Sequence, residues 1–190
     1  MLKKYSTLAL FAALMLAFAS CKKESNDKPT ENENEEISTV KLTFVNDADA
    51  NDKVIATWRS IDGNVTIDSV KLKLNTTYTV NTDFIDENAS PADTITNEIR
   101  EESDEHHVFH MIFTQADASI ADALTTVATI TPLDKDENNL PVGLEYSVST
   151  KEAFTGFYRV IVRHQPDGAK DGTFAPGSTD VDTEFPLVIK

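Results

Sequence analysis

Short runs in which apolar and polar residues alternate constrain this chain more than any other feature. Val40, Leu42 and Phe44 alternate with Lys41 and Thr43, and Val54, Ala56 and Trp58 alternate with Ile55, Thr57 and Arg59. Val70, Leu72 and Leu74 form a third run, and Tyr78, Val80, Thr82 and Phe84 a fourth. A period of two places every second side chain on one face of a pleated strand, so each run can bury one face and wet the other. Asn75 and Thr76, between the third and fourth runs, suit a tight link. Further strands are expected over 107–114, 125–131, 143–149, 156–164 and 182–189. In the last of these Phe185, Leu187 and Ile189 share a face, and Pro186, with no N–H to donate, predicts an edge strand. Helix is expected once. Ser90 stands in a capping position, Pro91 in the first helical one, and Ile95 and Ile99 share a face of a helix running to about Asp104. About nine short strands and one short helix in roughly 150 residues predict an all-β domain, an antiparallel Ig-like β-sandwich.

The chain opens differently. Lys3 and Lys4 precede an apolar stretch from Leu8 to Phe18, and Ala19 and Ser20 lead to Cys21, the only cysteine. This layout predicts a signal peptide over residues 1–20, with an apolar core too short to span a bilayer. A cysteine at the cleavage point looks like the lipobox of a bacterial lipoprotein, with Phe18 where Leu is usual. The resemblance implies that Cys21 becomes the lipid-modified first residue of the mature chain, attached to a membrane through its acyl chains. One cysteine permits no internal disulfide, so the core must come from packing alone. Residues 22–36, KKESNDKPTENENEE, contain no hydrophobic side chain and are expected to form, with Cys21, a lipid-anchored tether over 21–36. Lys22, Lys23 and Glu24 resemble the charged tags that mark surface export in Bacteroidota lipoproteins. Residues 37–190 remain as one domain.

Thirty-two acidic residues against 17 Lys and Arg give a formal net charge of −15, more negative still once Lys3 and Lys4 leave with the signal. Such a surface excludes nucleic acid and anionic lipid headgroups as partners and suits cations. Motifs of catalysis are missing: there is no G-x-S-x-G, no HExxH and no glycine-rich phosphate loop. Carboxylates are too common for any pair to stand out as a glycosidase site. A non-enzymatic role is expected.

Three of the four histidines fall within Glu101–His110, beside Glu101, Glu102, Asp104 and Glu105. Imidazole with carboxylate suits zinc or another divalent metal. On a strand rising ~3.3 Å per residue, His106 and His110 share a face but stand roughly 13 Å apart, and His107 points the other way. No pair within that strand can hold one ion unaided. His164 ends the run 157–164 on the face of Tyr158, Val160 and Val162, where a side chain meets the sandwich rim. A site could combine His106 or His107 with His164 and one of Glu102, Glu105 or Asp167. The alternative is that His106 bonds a backbone group and His164 caps the core.

Asp134, Asp136, Asn138 and Glu145 occupy positions 1, 3, 5 and 12 of a calcium-loop pattern, with Asn139 where glycine is usual. An acidic hairpin turn is the alternative. Asp68-Ser69-Val70 and Asp93-Thr94-Ile95 resemble the O-glycosylation acceptor of Bacteroidota exported proteins.

The segments Leu72–Asp86, Glu101–Phe109, Leu140–Leu144 and Arg163–Asp167 resemble a group of small Bacteroidota lipoproteins. Several of these are catalogued as "type 1 periplasmic binding fold superfamily" proteins. The resemblance covers nearly the whole mature domain and implies a lipid-anchored place in the cell envelope, at the outer membrane, on its periplasmic or surface face. The family name implies a longer, two-lobed α/β fold, whereas strand following strand predicts the sandwich. The family carries no established activity, but in it the counterparts of Glu105, His106 and His164 recur together. That favours His106 over His107 and His110. The expected function is a ligand-binding module capturing a divalent metal for an outer-membrane transporter, with His106, His164, Glu102 and Glu105 as ligands. The alternative is a structural or interaction lipoprotein that docks a partner through an exposed strand edge.

Overall fold

The computed structural model describes residues 34–190. The expected signal peptide, Cys21 and the tether up to residue 33 lie outside the described residues. The strands are β1 (Thr39–Asn46), β2 (Asp49–Ile61), β3 (Asn64–Ile67), β4 (Val70–Leu72) and β5 (Thr77–Ile85), followed by helix α1 (Ile95–Glu101). Then come β6 (His106–Phe113), β7 (Ala128–Pro132), β8 (Glu145–Thr150), β9 (Phe154–His164) and β10 (Ser178–Ile189), with a single 3-10 turn at Ile120–Asp122. They form two sheets, one ordered β3-β2-β1-β5-β8-β7 and the other β4-β10-β9-β6. Every pairing is antiparallel except that of β4 with β10, which is parallel. The protein is an all-β sandwich.

The alternation places the core where expected. Val40, Leu42, Phe44, Val80, Phe84 and Val148 of the larger sheet are buried against Val108, Ile112, Val160, Val162, Phe185 and Leu187 of the smaller one. The Phe44 ring meets Tyr158 edge-on across the layer, with centroids 5.4 Å apart.

Three local features depart from expectation, and a fourth meets it in an unforeseen setting. The segment 64–67 is a strand, because Asp62 and Gly63 both take positive φ (49° and 77°) and close a two-residue hairpin with the twist that strands require. Asn75, at φ 54°, does make a tight link, but it joins β4 of one sheet to β5 of the other. The Pro186 expectation of an edge strand is corrected in part. β10 lies inside its sheet, paired along its length with β9, and β4 joins its other side from Leu187 onward. Pro186 thus marks the last position at which that side is open and no ladder donor is needed. The helix begins at Ile95, not at Pro91. The Ser90–Pro91 peptide is cis, and Asp86 and Asp93 exchange backbone hydrogen bonds of 3.0 and 2.9 Å that hold the intervening residues as a loop. Thr96 then docks α1 on the end of β5: its hydroxyl accepts from the Phe84 N–H at 2.7 Å and donates to the Phe84 carbonyl at 3.1 Å.

Candidate metal centre

The antiparallel pairing of β6 with β9 sets His106 directly opposite His164. Their rings stack with centroids 4.7 Å apart and planes 5° from parallel, and both residues are buried. Immediately before β6, α1 ends on Glu102, whose carbonyl accepts the N–H groups of Glu105 (2.9 Å) and His106 (3.1 Å). The same carbonyl lies 3.2 Å from Nδ1 of His106. A carbonyl can only accept, so Nδ1 carries the proton and Nε2 presents a lone pair, the tautomer a metal-binding imidazole needs. Burial is the main force pushing the His106 pKa down to about 4, which keeps the ring neutral at ordinary pH.

Glu102, His106 and His164 each offer one ligand atom, and these atoms all lie within 4.8 Å of one another. Donors about 2.1 Å from a tetrahedral ion stand about 3.4 Å apart, so closing on an ion would draw these atoms together and turn the two parallel rings toward a common point. Among the described residues no other three His, Cys, Asp or Glu side chains converge in this way.

Two acids that the alternation does not point to complete the surroundings. Along β10 the register passes from Thr179 opposite Arg163 to Val181 opposite Val162, leaving Asp180 as the extra residue of a β-bulge. The bulge turns its side chain inward. That side chain is fully buried, its Oδ2 lies 3.8 Å from Nε2 of His106, and neither carboxylate oxygen accepts a well-formed hydrogen bond. Burial pushes the Asp180 carboxyl up to about 6, against the opposing pull of His164, the Glu35 backbone N–H and Arg163. Glu35 approaches from the chain segment before β1, with Oε1 4.0 Å from the same Nε2. Its carboxyl is pushed up to about 8, first by burial and then by Glu98, with which it shares a hydrogen bond. Glu102 is raised by burial and by Glu105, and Glu105 itself reaches His164 Nε2 at 3.6 Å.

Nearby cations are committed elsewhere. The Arg163 guanidinium donates to Thr179 Oγ1 and to the carbonyls of Pro176 and Gly177. The Lys170 ammonium donates to the Ser103 carbonyl (2.7 Å) and faces Asp136 (2.8 Å). A buried Nε2 without a donor and a buried carboxylate that accepts no well-formed hydrogen bond are costly unless a proton or a cation joins them. Two imidazoles with carboxylates and no thiolate suit zinc, manganese, iron(II) or cobalt better than copper(I) or calcium.

The other sequence candidates fall elsewhere. His107 is on the outer face of β6, packed against Phe109 with centroids 3.8 Å apart and ring planes tilted by 31°. His110 is in the core, and Asp167 sits in an exposed turn at φ 58°. The calcium-loop residues do not converge on a common point. Both oxygens of Asp134 accept backbone N–H groups, from Gly143 (2.8 Å) and Leu144 (2.9 Å). Oδ1 of Asp136 accepts those of Asn138 and Leu140, and its Oδ2 meets Lys170. Asn139 does take positive φ, at 63°, and Glu145 lies in β8. The segment is the acidic turn, and the cation it holds is an ammonium. In the two glycosylation-like triplets Ser69 and Thr94 are exposed, whereas Val70 and Ile95 are buried. A cleft of about 330 Å³ lined by Asn81, Asp83, Arg100, Lys135 and Glu145 contains none of the histidines.

Asp180, Glu35 and Glu98 are the residues that sequence reasoning missed. Glu98 had a usable signal, standing four residues before Glu102 and so on the same helical face. Comparison with protein-family models, curated proteins and solved structures yields no match, so the geometry carries the functional argument.

Proposed function

We propose that this protein is a divalent-metal-binding module that captures zinc or a related ion through His106, His164 and Glu102, with Asp180 as a further carboxylate ligand. The observation that carries this reading is the meeting of one ligand atom each from Glu102, His106 and His164 within 4.8 Å, beside the buried, unpartnered Nε2 of His106. Glu105, beside His164, is better placed to orient that ring than to join the ion. The role is binding rather than catalysis: the candidate ligands meet at the rim of the sandwich, and none of them lines the cleft of about 330 Å³. In the cell the module would be held by lipid on Cys21 at the outer membrane and would deliver its ion to a transporter there.

Zinc titration of the purified protein, with metal content measured after dialysis, tests the reading. One tightly held equivalent, lost in both His106→Ala and His164→Ala, is the expected result. A protein that takes up no zinc, or whose uptake ignores both substitutions, would overturn it.

The second reading, a surface interaction protein, has its own supporting observation. β3 is an exposed edge strand without charge, and Val65 and Ile67 on it are 56% and 46% exposed. Charged substitutions at Val65 and Ile67 that abolish capture of a partner while leaving zinc uptake intact would favour it.

A further inference from the structure

The segment 34–38 carries no regular structure, yet it is fastened at both ends. At one end the Asn34 amide donates to the Thr179 carbonyl (3.3 Å), and the Ser178 hydroxyl donates to Asn34 Oδ1 (2.6 Å). At the other, the Ser38 N–H donates to the Ile85 carbonyl (3.1 Å), and the Ser38 hydroxyl accepts the Glu87 N–H (2.6 Å). Among the described residues, ordered contacts reach back to Asn34, three residues inside the expected tether. Between the two fastenings Glu35 turns inward to 4.0 Å from Nε2 of His106, while Glu36 stays exposed.

That inward turn is costly by itself. It half-buries a carboxyl group against Glu98, with which it shares a hydrogen bond, and beside Asp180 and Glu102, where no ammonium or guanidinium among the described residues makes an ion pair with it. A divalent ion in contact with Nε2 of His106 and Oδ2 of Asp180 would give these carboxyl groups a common partner. It would also supply the partner that both of those buried atoms lack.

We propose that Glu35 is a ligand of the same ion, so that metal binding clamps the segment by which the chain enters the domain onto the rim of the smaller sheet. This rests on the metal-binding reading and adds a consequence to it: the loaded and empty proteins differ in how firmly the entering chain is held. His106, His164, Glu102 and Asp180 are placed by strands and a helix end. Glu35 is the one ligand carried by chain outside both the strands and the helix, and so the one able to leave without disturbing them.

The test is hydrogen–deuterium exchange of the full chain with and without zinc, run beside zinc affinity, for the native protein and for Glu35→Gln. The expected result has two parts. Zinc slows exchange over residues 34–38 of the native protein by at least about tenfold. Glu35→Gln still takes up one zinc, about tenfold more weakly, and zinc no longer protects the segment. Native protein that binds zinc with protection confined to β6, β9 and β10, or a Glu35→Gln variant with unchanged affinity and protection, would overturn the clamp alone. Native protein that binds no zinc would overturn the clamp and the metal-binding reading together. Thermal unfolding of both proteins without metal checks that the substitution leaves the sandwich intact.

Discussion

His106 and His110 lie four residues apart on the same face of β6, and both are withdrawn from solvent, yet their surroundings are opposite in kind. His110 is fully provided for. Its Nδ1 lies 2.8 Å from the Tyr158 hydroxyl and its Nε2 3.2 Å from the Thr82 hydroxyl, and its ring packs against Tyr146 with centroids 4.3 Å apart. Hydroxyls can donate or accept, so either neutral tautomer is satisfied there. His106 has one nitrogen fixed by a carbonyl and the other facing carboxylates with no hydrogen bond at all. Burial is common to the two rings. What meets the second nitrogen is not.

The largest break in this contrast should come from truncating each ring in turn. His106→Ala is expected to lower zinc affinity by at least about 100-fold, measured by competition with a chromophoric chelator. His110→Ala should leave zinc affinity within about twofold while destabilising the fold by roughly 2–4 kcal/mol in urea unfolding, through the cavity and the stranded hydroxyls. Equal loss of zinc affinity in both variants would erase the distinction.

A smaller effect of unusual sign is expected at the bulge. Asp180→Asn should weaken zinc binding about tenfold yet raise the stability of the metal-free protein by roughly 1 kcal/mol, because it removes a buried carboxylate that accepts no well-formed hydrogen bond. Stability falling in step with affinity would show that Asp180 serves the fold rather than an ion.

The gentlest test uses pH. Burial depresses His110 to about 3, so between the ordinary histidine value near 6.5 and about 3 the unfolded chain holds a proton there that the folded one refuses. The associated stability is complete above pH 6.5 and is lost as pH falls, with a slope of at most about 1.4 kcal/mol per pH unit from this one ring. Replacing it by Gln, which can still bond Tyr158 and Thr82 but cannot titrate, should flatten the slope of unfolding free energy against pH over that range. An unchanged slope would mean that acid unfolding is governed elsewhere.

Much of the scaffold was readable because half-buried strands write their period into the chain. β3 was not, since all four of its residues are exposed and burial imposes no contrast on them. There the Asp62-Gly63 pair was the legible sign. The meeting of His106 with His164 could be anticipated from face and strand end, though not the directness of the pairing. Asp180 could not. The inward row Val181, Thr183, Phe185, Leu187 and Ile189 assigns it by parity to the outer face, and only a bulge reverses that. Glu35 was hidden in a run of charge and Asn that reads as solvated throughout. The calcium-loop pattern misled for a complementary reason: ligand spacing says nothing about whether the oxygens are already occupied, and here backbone amides and Lys170 had claimed them.

Asp180 is one residue more than the sheet requires. Without it, Thr179 opposite Arg163 would run on without interruption to Val181 opposite Val162, and the ladder between β9 and β10 would be regular from end to end. The sandwich and this buried carboxylate are therefore separable by a single codon. A lineage carrying this fold could gain Asp180 by one in-frame insertion and shed it by one deletion, while the two sheets and the core between them stayed as they are.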